Sequence, residues 1–148
     1  MITLATPDAT LDFGARLGAA LAIGDVVALT GPLGAGKTLL ARGILAGLGH
    51  HGDVPSPTFP IIIPYDPPAV RLPVGHVDLY RIDDETALVE LGLDDLRAEG
   101  ALVIEWPDRL GSRAWPDVLA LTLSVEANGT RHLTAQVPQA WEPRWPPT

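Results

Sequence analysis

Cysteine is missing from this chain altogether. That excludes a disulfide framework and any thiolate metal site, and it fits a reducing compartment. Long apolar runs are missing too: none approaches the ~18 residues that a membrane-spanning helix needs. No secretory pattern opens the chain, because no apolar segment of that kind precedes the first basic residue, Arg16. The expectation is a cytoplasmic protein with no membrane partner. Positive charge is scarce: Lys and Arg number 10 against 18 Asp and Glu, a formal net charge of −8. Nucleic acids are held chiefly by Lys and Arg neutralising phosphates, and no basic cluster or basic–aromatic stretch occurs. Tight direct binding of DNA or RNA by this chain alone is not expected. The 4 histidines show no metal-ligand spacing, and His76, out of phase with Val77, reads as a strand residue with its hydrogen bonds satisfied. Lysine is the scarcest charge of all. Lys37 is the single lysine beside nine arginines, so the guanine-reading N-K-x-D motif of conventional GTPases cannot be formed.

What is present amounts to one domain, 148 residues with 47% apolar side chains, large enough for a core of its own. ITLATP reads as a short strand. PDATLDFGARLGAALA reads as a helix with Leu11, Ala15 and Leu17 to Leu21 on its apolar face. DVVALTG is a continuous apolar strand of the buried parallel type, and KTLLARGILAGLG is a second helix. HHGDVPSPT is a loop by its Gly, Pro and Ser content. FPIIIPY and GHVDLYR read as strands joined by a Pro-rich connection, residues 64–75. DDETALVELGLDDLRAEG is helical in two pieces, with acids in the first turn where the helix dipole favours them. ALVIEW is another buried strand, and DVLALTLSVE and TRHLTAQV flank the hairpin signal Asn128-Gly129. The domain is assigned to residues 1–137, with an irregular Pro- and Trp-rich tail over 138–148.

Between the apolar strand and the second helix stands GPLGAGKT. Gly31, Gly36, Lys37 and Thr38 fit G-x-x-x-x-G-K-S/T. Glycines let the backbone turn so that successive N–H groups face phosphate oxygens, and the helix that follows adds its N-terminal dipole. A lysine ammonium reaches the β- and γ-phosphates, and the threonine hydroxyl can ligate Mg²⁺. Arg is no substitute where a compact ammonium must fit between phosphate oxygens, so the lone lysine at this position is either a coincidence of composition or the mark of a site that could not take Arg. The predicted ligand is a nucleoside triphosphate with magnesium. Such a site also needs a carboxylate at a strand end. Asp78 in HVDLYR and Glu105 at the end of ALVIE are the candidates; the alternatives are an exposed strand residue and a strand-end cap. Asp83, Asp84, Asp94 and Asp95 read as solvated helix caps.

The series GPLGAGKT, SPTF, HVDLYR, ELGL and IEWPDRL, in this order and spacing, resembles the TsaE family, small bacterial P-loop ATPases needed to make threonylcarbamoyladenosine in tRNA. The resemblance runs from residue 5 to about residue 137. It implies an α/β, P-loop NTPase-like fold: a mostly parallel central sheet with antiparallel additions and flanking helices. It implies ATP phosphates on Leu33, Gly34, Ala35, Gly36, Lys37 and Thr38, and Mg²⁺ on Thr38 and Glu105. It makes Asp78 an essential acid near the γ-phosphate and Trp106 an essential neighbour of Glu105. It makes Ser56, Pro57 and Thr58 a switch-like loop that senses the nucleotide. Its implied partners are a tRNA threonylcarbamoyl transferase and that enzyme's scaffold paralogue, with tRNA reached indirectly through the complex. Two departures stand out: Leu39 occupies a position where the family commonly has a second hydroxyl, and Pro60 is expected to kink the entry into FPIIIPY.

The alternative from another class is a small-molecule P-loop kinase. A kinase needs a lid with arginines, and the candidate segment, residues 66–75, holds only Arg71. Arg42, Arg81 and Arg109 lie near the motifs without the spacing of a recognised arginine finger. The base is expected near Asp8 and Thr10 or near Gly129.

Overall fold

In the computed structural model, which describes residues Met1–Thr148, one seven-stranded sheet organises the chain, in the order β1-β7-β6-β2-β5-β4-β3. The strands are β1 (Ile2–Leu4), β2 (Val26–Thr30), β3 (Ile62–Tyr65), β4 (Val74–Asp78), β5 (Ala101–Glu105), β6 (Leu119–Val125) and β7 (Arg131–Gln136). The central four, β6-β2-β5-β4, run parallel. Antiparallel strands extend both edges: β3 beside β4, and β7 then β1 beside β6. The residues of β4 and β5 are buried throughout, as a parallel sheet covered on both faces requires. The α/β fold with antiparallel additions is thus the one observed.

Side chains alternate along these strands, so each face takes its own set. One face carries Val27, Leu29, Val74, Val103, Leu119 and Leu121 into the larger core with helices α1 (Pro7–Ala20) and α2 (Lys37–Gly47). The other carries Val26, Val77, Leu102 and Ile104 into a smaller core under α3 (Glu85–Glu90) and α4 (Leu93–Glu99). Helix α1 starts at a Thr6 cap whose side chain accepts from the Ala9 amide, with Pro7 in the first turn. Its buried face is Thr10, Phe13, Gly14, Leu17 and Gly18, rotated from the expected face: Leu11 and Ala15 are only half-buried. The cause is close packing through glycine. Gly14 and Gly18 of α1 meet Gly43 and Gly47 of α2 at the same four-residue spacing, and a methyl on Gly14 would stand 2.9 Å from the Gly43 Cα. Helix backbones approach this closely only where side chains are absent at the contact.

Helix α1 has no basic residue in its last turn. Two distant arginines fill that role. Arg71 donates to the carbonyls of Gly18 (3.0 Å) and Leu21 (3.0 Å), and Arg144 donates to that of Ala20 (2.9 Å) while pairing with Asp25. Cations at a helix C-terminus satisfy its free carbonyls and its dipole. Arg144 belongs to the segment expected to be irregular. That segment instead forms a short 3-10 helix, Gln139–Arg144, and sets Trp141, 1% exposed, into the larger core. A two-turn 3-10 stretch, Pro107–Arg113, follows β5.

The candidate nucleotide site

The P-loop leaves the C-terminal end of β2, Asp78 ends β4 and Glu105 ends β5. Because β2, β5 and β4 are parallel neighbours, their C-terminal ends open on one side of the sheet, where ligands of open α/β folds bind. A cleft of about 410 Å³ lies there. It is lined by Leu33, Gly34, Gly36, Lys37, Thr38, Leu39, Ser56, Thr58, Asp78, Glu105, Trp106 and Arg131. The residues singled out from the sequence therefore converge, except Pro57, which is buried and does not line the cleft, Ala35 and Gly31. Ala35 points into the core instead. Gly31 is needed for space: a Cβ there would meet the Leu123 carbonyl oxygen at 2.8 Å.

Gly36 caps α2 with φ 102°, a left-handed conformation that an L side chain resists. The turn delivers Lys37 into the first position of the helix and back beneath the loop. Its ammonium donates to the carbonyls of Gly31 and Pro32 and lies 4.3 Å from the centre of the Trp106 ring. Lys37 is 6% exposed. Burial pushes its ammonium below the usual lysine range, against the carboxylates of Glu105 and Asp78, which pull it back up. A phosphate would relieve that desolvation with charge of the opposite sign.

The Thr38 hydroxyl lies 3.1 and 3.3 Å from the two oxygens of Glu105. A hydroxyl and a carboxylate are hard oxygen donors of the kind magnesium takes. No group of three or more His, Cys, Asp or Glu is placed to hold a metal unaided. Magnesium sites completed by substrate phosphates have this composition, with one or two protein donors and no dedicated cage. Asp78 is held on both oxygens: Oδ1 accepts the Tyr80 amide at 2.9 Å and Oδ2 the Thr58 hydroxyl at 3.1 Å. The Ser56 and Thr58 hydroxyls bond each other at 2.8 Å, so the loop ahead of β3 is wired to the acid at the end of β4.

The expected kink at Pro60 is present and reaches further than the proline. Residues 58–60 turn, Ile61 takes φ 70°, and β3 starts only at Ile62. The Ile61 carbonyl accepts the amide of Asp78 at 2.8 Å. Trp106, directly after Glu105, has φ 59°. These two are the non-glycine residues with positive φ, and each adjoins a carboxylate of the cleft. Strained backbone of this kind is found where a site needs a side chain aimed in one direction.

Two residues at this site escaped the sequence. Arg131, near the start of β7, donates to the Gly34 carbonyl at 3.0 Å and the Ala35 carbonyl at 3.2 Å. It also donates to Gly129, tying the hairpin turn to the P-loop. No local motif marks it; only the pairing of β7 with β6 brings it there. His76 is the second. Its Nε2 lies 2.7 Å from Glu105 Oε2, fully buried, whereas the sequence reading gave it no role. Its signal was available in principle, since His76 and Asp78 are two apart on one strand and share a face. Of the two regions proposed for the base, Gly129 is joined to the P-loop, while Thr10 is buried with its hydroxyl on the Thr6 carbonyl. The kinase alternative required Arg71 in a lid. That guanidinium caps α1 instead, and the residues on either side of it in sequence, Val70 and Leu72, are buried in the fold.

Comparison with known proteins agrees with this geometry. The family model described as threonylcarbamoyl adenosine biosynthesis protein TsaE matches residues 4–133. The tRNA threonylcarbamoyladenosine biosynthesis protein TsaE of Mycobacterium tuberculosis is 41% identical over 118 residues, 75% of this chain and 70% of that protein. The protein of the same description in Treponema pallidum is 34% identical over 126 residues, covering 84% and 91% respectively. In Bacillus subtilis the figure is 38% over 122 residues, 81% and 75%. The crystal structure of Bacillus subtilis YdiB superposes with a TM-score of 0.79 over 94% of this chain and 85% of its own, at 27% identity. With the family model spanning most of the sequence and the cleft built from its motifs, the chain belongs to the TsaE family.

Proposed function

We propose that this protein binds ATP with Mg²⁺ and hydrolyses it slowly, as a cytoplasmic accessory factor in threonylcarbamoyladenosine modification of tRNA. Its partners in this reading are the transferase and the scaffold paralogue, and it reaches tRNA only through them. The observation that carries the reading is the meeting of Lys37, Thr38, Glu105 and Asp78 around one cleft at the ends of three parallel strands. The P-loop amides and Lys37 would take the phosphates. Thr38 and Glu105 would hold the magnesium, whose chemistry is to neutralise charge on the phosphates. Asp78, fixed by Thr58 and the Tyr80 amide, would orient the attacking water and accept its proton. The hydroxyls of Ser56 and Thr58 would carry the nucleotide's state to the loop surface.

Slow turnover follows from the arginines. Efficient P-loop hydrolysis needs a cation on the charge that develops during transfer, and a finger supplied in trans is worth about 10³–10⁵ in rate. Arg131 bonds three backbone carbonyls, Arg109 lies over Tyr80 and Arg81 over Phe59. None is committed to the space in front of Lys37. The test is ATP turnover by the isolated chain, then with the two partners, then with small-molecule acceptors. Slow turnover raised by the partners is the expected result. Fast turnover unchanged by them, or phosphate delivered to an acceptor, overturns the reading.

A further inference from the structure

The Glu105 carboxylate is gripped from two sides. Thr38 approaches from α2 and His76 from the neighbouring strand, where Nε2 stands 2.7 Å from Oε2. The register of β4 on β5 explains the approach: His76 pairs with Val103 and Asp78 with Glu105, so all four residues share a face. A carboxylate only accepts hydrogen bonds, so the imidazole proton belongs on Nε2. Nδ1 is then a bare acceptor, and it is buried with no partner. A buried polar atom left unpaired is destabilising. Apart from Asp78 at its end, the rest of β4 is Val74, Gly75 and Val77, all buried, and aliphatic side chains are the usual occupants of such a strand. An imidazole here works against the stability of the sheet and is accounted for by its one contact.

We propose that His76 is a positioning residue for magnesium binding: its Nε2–H holds Glu105 turned toward Thr38, where both can serve the ion. The inference rests on the reading of Thr38 and Glu105 as the magnesium donors. It assigns His76 no contact with nucleotide and no proton transfer. Hydrogen-bonding partners of metal-ligating carboxylates typically contribute about 10–100-fold to metal affinity, and that is the size of effect expected.

The test is ATP affinity with EDTA and with saturating Mg²⁺, alongside thermal unfolding, for the wild type, His76→Leu, His76→Gln, His76→Asn and Glu105→Gln. The gain in affinity from Mg²⁺ should shrink about 10–100-fold in His76→Leu, with EDTA affinity kept and the unfolding midpoint equal or higher. His76→Gln, whose amide nitrogen reaches the place of Nε2, should restore most of the gain. His76→Asn, which is shorter, should not, and this pair decides the matter even if His76→Leu fails to fold. Combining His76→Leu with Glu105→Gln should add little to Glu105→Gln alone, as expected of residues acting through one contact. A full Mg²⁺ gain in His76→Leu, equal gains in the Gln and Asn variants, or an equal loss with EDTA and with Mg²⁺ overturns the proposal while leaving the site reading in place. Absence of any Mg²⁺ gain in the wild type overturns both.

Discussion

A methyl group on Gly18 would stand 2.1 Å from the Ile44 carbonyl oxygen, and one on Gly47 would stand 2.0 Å from that of Ala15. The α2 helix that carries Lys37 and Thr38 is thus pressed backbone to backbone against α1, and α1 is pinned at its far end by Arg71 and Arg144. The loop from Val54 to Ile61, across the same cleft, is built in the opposite way. Phe59 is 81% exposed, and the loop's side-chain contacts to the site run from Ser56 through Thr58 to Asp78. Val54 and Pro57 are buried and anchor the loop, but Ser56, Phe59 and Pro60 are exposed, and stretches with few buried apolar contacts open at low free-energy cost. In the proposed function, one wall of the site is a fixed phosphate cradle and the other adjusts when the phosphate changes. The two carboxylates divide along the same line. Glu105 is bonded to the fixed wall through Thr38, and Asp78 to the adjustable one through Thr58.

The comparison can be broken most severely at its fixed wall. Lys37→Ala removes the cradle's ammonium and should abolish hydrolysis and weaken ATP binding. Lys37→Arg should fail as well, because a planar guanidinium does not fit beneath the Gly31 and Pro32 carbonyls. Near-normal turnover in Lys37→Arg, measured by phosphate release, would remove Lys37 from its role. The carboxylates sharpen the contrast. Asp78→Asn should lower kcat by about 10²–10⁴-fold, as loss of a general base does, with a smaller change in affinity. Glu105→Gln should act first on Mg²⁺-supported ATP binding. Equal effects of the two on Mg²⁺ affinity would contradict the division between the walls.

Next in size is the helix contact itself. Gly47→Ala gains helix propensity but forces a methyl into the Ala15 backbone, and overpacking of this kind costs about 1–3 kcal/mol. Urea unfolding should show that loss; a neutral or stabilising result would mean that α1 and α2 are not locked. The smallest effect is optical. Trp106 lines the cleft beside Lys37, whereas Trp115 bonds Asp94 and Trp141 lies in the core. ATP should change tryptophan emission, and Trp106→Phe should remove most of that change. A signal that survives the substitution would place the responding residue outside the cleft.

The fixed wall was largely legible in the sequence, because each of its parts is local. An apolar run, a glycine loop and a helix follow one another over residues 26–47, and their spacing carries the chemistry. Glu105 was legible for a similar reason, since it ends the apolar run ALVIE; Asp78 stood out inside HVDLYR, a stretch that reads as one strand although β4 ends at Asp78. What the sequence hid depends on partners far along the chain. Arg131 reaches the P-loop only because β7 folds back on β6. His76 meets Glu105 only through the register of two strands. The α1 face was misplaced because hydrophobicity ranks glycine low, while here glycines 14 and 18 make the contact. The end of the chain read as irregular because prolines break regular patterns, yet the same stretch supplies Trp141 to the core and Arg144 to α1.

The most direct measurement of the central claim is the yield of threonylcarbamoyladenosine in tRNA. The transferase, its scaffold paralogue, tRNA, the carbamoyl donor and ATP would be combined with this chain, without it, or with Lys37→Ala in its place. The account predicts repeated rounds of modification with the intact chain and a stalled yield in the other two mixtures. Full modification without the chain, or with Lys37→Ala, would contradict it.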